Sequence, residues 1–162
     1  AAPGALSRVD VFGDGSDRFS ADFHDEITAG LRDSAPLVRA RGRYAQAELP
    51  AILDDADVVV VPSVWWENSP VVIEEALARR VPVICSDIGG MAEKVQDAVD
   101  GWHFHAGNAS SLAEVIARVA AMPSLSLPDM REPAAVSAVV RAHLSVYADA
   151  IARRAAGSRP TR

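Results

Sequence analysis

Apolar and polar positions along this chain follow two rhythms, and the rhythm assigns the elements. Residues 8–12 and 37–42 are short apolar-containing runs that end at glycine, the pattern of strands closed by turns. Residues 57–62 (DVVVVP) and 81–86 (VPVICS) are near-continuous apolar runs, as expected of parallel strands covered on both faces. A short strand at 102–105 follows Gly101. Between the strands the spacing changes to three and four: Phe23, Ile27 and Leu31 give one apolar face to a helix over 20–32. Further helices are predicted over 48–55, 70–80, 91–96 and 110–121. Pro123, Pro128 and Pro133 then interrupt any long element. A final long helix over 134–155 carries Val136, Val139, Val140, Leu144, Tyr147 and Ile151 as a stripe. Strands alternating with helices predict an α/β fold, a single Rossmann-like doubly wound parallel sheet with helices on both faces. One such domain is expected over 1–156, with a disordered tail over 157–162.

Composition narrows the function. At 162 residues the chain is long enough for one real core, and a net charge of −6 with pI near 5.1 offers no general positive field for nucleic acid. Fifteen of the sixteen basic residues are arginine, Lys94 being the exception. Cys85 is the sole cysteine, so no disulfide framework can form. It lies in an apolar strand, where a thiol is usually inert. No apolar stretch reaches spanning length and no signal peptide is visible, so a cytoplasmic location is expected. The chain opens at Ala1 without methionine, which suggests a piece of something longer.

The chemistry gathers after the third strand. Glu67 and Glu75 bracket the segment ENSPVVIEEA, at the carboxyl end of a strand, where doubly wound sheets bind ligands. Asn68 or Ser69 can cap a helix whose first turn holds Pro70, leaving backbone N–H groups directed at an anion such as a diphosphate. Two carboxylates flanking that helix start can accept hydrogen bonds from sugar hydroxyls. A purely structural account is also open by spacing alone: acidic residues favour helix N-termini, and Glu75 with Arg79 is an ordinary i, i+4 pair. The sequences GDG at 13–15 and SDIGG at 86–90 occupy further strand ends and are weak signals by themselves.

Taken together, the order of motifs over 48–104 resembles the nucleotide-sugar-binding domain of retaining GT-B glycosyltransferases, the group 1 or family 4 type, in the glycogen synthase and mannosyltransferase-like group. The shared features are a strand ending in Pro-Ser, a Glu, a second Glu eight residues on and an Ala-Leu-Ala. A Pro-Val-Ile strand, a Gly-Gly with Glu93 three residues on, and a Gly before a short strand complete the order. The resemblance implies that Glu75 binds the ribose hydroxyls. It implies that Glu67 contacts the transferred sugar and stabilises charge near its anomeric carbon, and that the backbone at Ser69, Val71 and Val72, next to Asn68, holds sugar and diphosphate. Gly13 matches the first-loop glycine, and Gly42, Arg43 and Tyr44 match the region bordering the base. Two departures stand out: Asn68 and Ser69 replace an aromatic-glycine pair, and Arg80 replaces a glycine at what is expected to be a tolerant helix end.

The implied function is the donor-binding half of a retaining, metal-independent glycosyltransferase. It would transfer a hexosyl group from a UDP or GDP sugar to a glycan or lipid-linked acceptor in bacterial carbohydrate biosynthesis. No cofactor and no metal are implied, the nucleotide sugar being substrate. The basic loop that would neutralise the leaving diphosphate, and a whole N-terminal acceptor domain, are absent from this chain, which is therefore expected to be inactive alone. The final helix would pack toward that missing domain. Peripheral membrane association of the whole enzyme and self-association of this piece are compatible with the reading. A non-catalytic nucleotide-sugar-binding module is the alternative; an epimerase or phosphorylase of the same architecture would need groups that are not found. His103 and His105 share a strand face without a third ligand. Arg39, Arg41 and Arg43 alternate along a predicted strand and share one face, as expected of a solvated edge, with diphosphate contact by Arg43 the lesser alternative; Trp65 and Trp66 serve either the acceptor cleft or packing.

Overall fold

The computed structural model describes residues 6–13, 20–125 and 127–155. The chain forms two compact units that divide between Arg131 and Glu132. The first contains β1 (Val9–Phe12), α1 (Ala21–Asp33), β2 (Val38–Gly42), a 3-10 turn (Gln46–Glu48) and α2 (Leu49–Asp54). It continues through β3 (Val59–Val61), α3 (Val71–Ala78), β4 (Val83–Ser86), α4 (Gly89–Lys94), β5 (Gly101–Phe104) and α5 (Ala109–Ala120). The second unit contains α6 (Val136–Ala155), in which His143 Nδ1 lies 2.8 Å from the Val139 carbonyl. The segment expected to form a tail lies outside the described residues.

Every strand pair is parallel, as the alternation of strands and helices requires. Among the described residues the strands hydrogen-bond in two groups, β1–β2 and β3–β4–β5. Among the described residues β3 bonds only to β4, so it is an edge of its group, and Val60 is exposed despite its β-branched surroundings. β4 is the middle strand and is buried throughout. Its alternating side chains feed two cores. Val83 and Cys85 pack with Leu53, Ile73, Leu77 and Met91 on one face. Ile84 packs with Trp102, Phe104, Val115 and Val119 on the other. Burial pushes the Cys85 thiol up to about 12.

Local rules set several boundaries. Ser20 caps α1 by accepting from the Phe23 N–H, and Asn108 caps α5 by accepting from the Ser111 N–H at 3.0 Å. α1 buries none of its side chains, and Phe23 and Ile27 on its apolar face are exposed. α3 ends in a Schellman motif: Arg80 N–H donates to the Leu77 carbonyl at 2.9 Å and Val81 N–H to the Ala76 carbonyl at 3.0 Å. That closure places Arg80 at φ 58°, the left-handed conformation that suits glycine. The exchange for arginine is therefore strained, not tolerant. Farther on, the fully buried Asp100 carboxylate accepts from Gln96 N–H at 3.1 Å, Arg131 N–H at 2.9 Å and Arg131 Nε at 2.7 Å. Burial raises the pKa of Asp100, but the Arg131 and Gln96 hydrogen bonds outweigh it and hold the carboxyl below its usual value.

Candidate functional site

β3 delivers the chain into the loop that carries Glu67. Ser63 Oγ donates to Glu67 Oε1 at 3.2 Å, and Glu67 N–H donates to the Trp65 carbonyl at 2.8 Å, so both ends of this half-buried residue are held. The α4 N-terminus clamps the same loop from the other side. Gly90 N–H donates to the Glu67 carbonyl at 2.6 Å, and a Cβ on Gly90 would meet the Asn68 carbonyl oxygen at 2.1 Å. The glycine pair that reads as a weak turn signal is in fact a close backbone contact with the Glu67 loop.

α3 begins at Val71 with Pro70 as its N-cap, and no side chain caps it. Asn68 and Ser69 lie outside the helix in the exposed loop and do not perform the capping that their residue types suggest. The buried, extended Pro70 (ψ 116°) takes the boundary position itself. The outcome still favours an anion. Ile73 N–H reaches the Pro70 carbonyl at 3.2 Å, while Val71 and Val72 head a helix whose first N–H groups have no intrahelical acceptor.

Glu75 is the fifth residue of α3, about 6 Å along its axis from Val71. It does not pair with Arg79: that guanidinium turns to Asp54, with Nε 2.7 Å from Oδ1. Instead Gln46 Nε2 donates to Glu75 Oε1 at 2.8 Å. The neighbouring Glu74 takes Lys94 as its ion-pair partner. Gln46 follows the β2 end that carries Arg43 and Tyr44, so this bond ties the two predicted parts of the site together. Gly13 N–H donates to the Gly42 carbonyl at 2.8 Å, and Phe12 meets Tyr44 edge-on with ring centroids 5.9 Å apart. Gly13 and Tyr44 are thus held at the ends of β1 and β2, and Gln46, two residues after Tyr44, reaches Glu75; exposed Arg43 belongs to the same stretch by sequence.

Other candidates separate. Arg41 is not merely solvated: its Nη2 donates to Asp10 Oδ2 at 3.2 Å, and that bond, opposed by desolvation, holds the Asp10 carboxyl below its usual value. Arg39 Nε reaches the Pro36 carbonyl at 3.2 Å. His103 and His105 do not converge: His105 Nδ1 lies 2.7 Å from Asp87 Oδ2, while His103 Nδ1 is 3.9 Å from Asp97 Oδ1. The His105 contact, followed by the Ala106 N–H, lowers the Asp87 carboxyl. No helix among the described residues is long and apolar enough to cross a membrane. Trp65 and Trp66 are 72% and 80% exposed, so neither packs into the core of this chain. Sequence reasoning missed Gln46, an exposed polar residue whose partner lies 29 positions away.

One carboxylate, Glu67, thus precedes the start of α3 and a second, Glu75, lies inside the helix with its orientation set by an amide. This arrangement suits a ligand with an anionic centre between hydroxyl-bearing groups. The family profile for glycosyl transferases group 1 matches residues 37–135, more than half of the chain. The amylovoran biosynthesis glycosyltransferase AmsK of Erwinia amylovora is 34% identical over 94 residues, covering 55% of this chain and 22% of that protein. A phosphatidyl-myo-inositol mannosyltransferase of Mycobacterium leprae is 30% identical over 116 residues, covering 72% of this chain and 30% of that protein. Among solved structures, Anabaena Alr3699/HepE in complex with UDP-glucose is 25% identical with a TM-score of 0.62, covering 76% of this chain and 34% of that chain.

Proposed function

Because the chain belongs to the group 1 glycosyl transferases, we propose that it is the donor-binding half of a retaining hexosyltransferase using a nucleotide diphosphate sugar. The match covers about 22% of AmsK's length, and in this reading a further part of the enzyme completes the acceptor side. The observation that carries the reading is the Gln46–Glu75 hydrogen bond, which joins the segment after β2 to α3, together with the uncapped start of α3 and the held Glu67.

In this reading Glu75 accepts from the ribose hydroxyls through the oxygen that Gln46 leaves available. Tyr44 and Arg43 border the base, and Gly13 gives it room. The Val71 and Val72 N–H groups, with the positive end of α3, receive the diphosphate as charge develops on it, which is electrostatic stabilisation without a metal ion. Asn68 and Ser69 contact the sugar. Glu67, held by Ser63 and the Gly90 clamp, stands beside the anomeric carbon and stabilises positive charge there while the acceptor attacks from the leaving-group face. The UDP-glucose held by HepE supports a uridine nucleotide over a guanosine one.

The test uses the longer enzyme of which this chain supplies the donor half. Proton NMR of the product should show the anomeric configuration of the donor kept. Glu67→Gln should lower kcat by about a hundredfold or more with a smaller change in donor KM. An inverted product, or an unchanged kcat, contradicts the assignment.

A further inference from the structure

Trp65 and Trp66 have no structural employment. Indoles are seldom left this open in a folded protein, yet these are 72% and 80% exposed, and the flanking Val64 and Val71 are exposed with them. The third tryptophan, Trp102, is buried in the core and shows the ordinary arrangement. The backbone beneath the exposed pair is nevertheless fixed. Glu67 N–H donates to the Trp65 carbonyl at 2.8 Å, and a Cβ on Gly89 would lie 3.2 Å from the Trp66 Cα, so α4 and this loop are in close backbone contact. Rigid backbone with open rings is a preorganised presentation, which lowers the ordering cost of binding.

Resting on the donor-site reading above, we propose that Trp65 and Trp66 form a platform for a neutral sugar ring of the acceptor. The face of an indole carries the negative end of its quadrupole and attracts the polarised C–H bonds on the flat side of a pyranose. The hydroxyls at the ring edge need acceptors, and Glu67 follows Trp66 directly in the chain. A ring seated there lies next to the carboxylate assigned to the reacting sugar, which is where an acceptor hydroxyl must arrive. Charge decides against a lipid surface as the occupant. Glu67 and Asp87, on this loop and on the facing β4–α4 loop, are both acidic. His105 is engaged with Asp87. Anionic membranes attract basic segments, not acidic ones.

The test is an NMR titration of this chain that follows the three indole N–H signals. Cellobiose, a flat disaccharide with equatorial substituents, is the saccharide probe. Vesicles of phosphatidylcholine and phosphatidylglycerol are the lipid probe, and UDP is added in a separate arm. The expected result is that cellobiose shifts the Trp65 and Trp66 signals and leaves Trp102 unmoved. Its affinity, read at the Val64 amide, should weaken about tenfold in Trp66→Ala and recover most of that loss in Trp66→Phe. Cellobiose leaving all three signals in place while UDP still binds would overturn the platform and leave the donor site standing. UDP failing to bind while cellobiose shifts the pair would overturn the donor reading alone. Vesicles broadening the pair, with cellobiose silent, would assign the patch to a membrane and overturn the proposal.

Discussion

The backbone N–H of Gly90 donates to the carbonyl oxygen of Glu67 across 2.6 Å, with no space between the two segments for a side chain. The loop bearing the proposed catalytic carboxylate is therefore positioned by the start of α4, and any Cβ at position 90 must push it away. We expect Gly90→Ala to destabilise the chain by about 2–3 kcal/mol, because the atoms it meets are backbone and cannot swing aside. The loss of Tm is read by thermal denaturation. Glu93→Ala, on the exposed side of the same helix, should change Tm little and serves as the control.

Gln46 presets Glu75. Its amide is exposed, so removal should leave folding almost untouched, while nucleotide binding loses the orientation of one carboxylate. Gln46→Ala should weaken nucleotide affinity by about fivefold, in line with about 1 kcal/mol for a hydrogen bond to a charged group in an open site. Titration calorimetry measures this, and an unchanged affinity would show that Glu75 needs no such support.

Arg80 closes a Schellman motif in a conformation that suits glycine. Arg80→Gly should stabilise the chain by about 0.5–1 kcal/mol, the left-handed penalty of an L side chain less the entropy of freeing glycine. The guanidinium's contact with the Pro128 carbonyl, 3.4 Å and exposed, is too long to offset this. Urea denaturation gives the comparison directly.

Asp100 links stability to acid. Its folded pKa is depressed, so its contribution is fully present above the unfolded carboxylate value of about 3.9 and is lost as pH falls through the folded value. Stability measured by denaturant between pH 6 and pH 3 should fall at the acid end. Asp100→Asn should be less stable than the parent at neutral pH and show a shallower acid slope. Arg131→Ala, which leaves that buried carboxylate without its charged partner, should cost about 3 kcal/mol at neutral pH.

Much of this was legible because it is local. Helix and strand identities follow from spacing within each segment, and the order around Glu67 and Glu75 follows from a strand end meeting a helix start. What escaped is held at a distance. Gln46 finds Glu75 across 29 positions and Arg131 finds Asp100 across 31, and neither pairing leaves a mark on its own neighbourhood. The cap at α3 differs from what residue type suggests because Pro70, buried at the boundary, displaces two residues whose chemistry favours capping. The exposure of Val60 in so apolar a strand depends on which strands are neighbours, and composition does not encode that.

Cys85 offers a simple probe of the core. With its thiol pushed up to about 12 by burial, it should resist a thiol reagent at pH 8 and react only as fast as the chain opens. Reaction at the rate of a free thiol would contradict the buried β4.

The central claim is that Glu75 reads a nucleotide, and titration calorimetry of this chain with UDP, GDP and ADP tests it most directly. UDP should bind weakly, with a dissociation constant of about 0.1–1 mM. Glu75→Ala should abolish the heat while leaving Tm unchanged. Equal binding by the parent and the variant, or a complete absence of heat with all three nucleotides, would contradict the account.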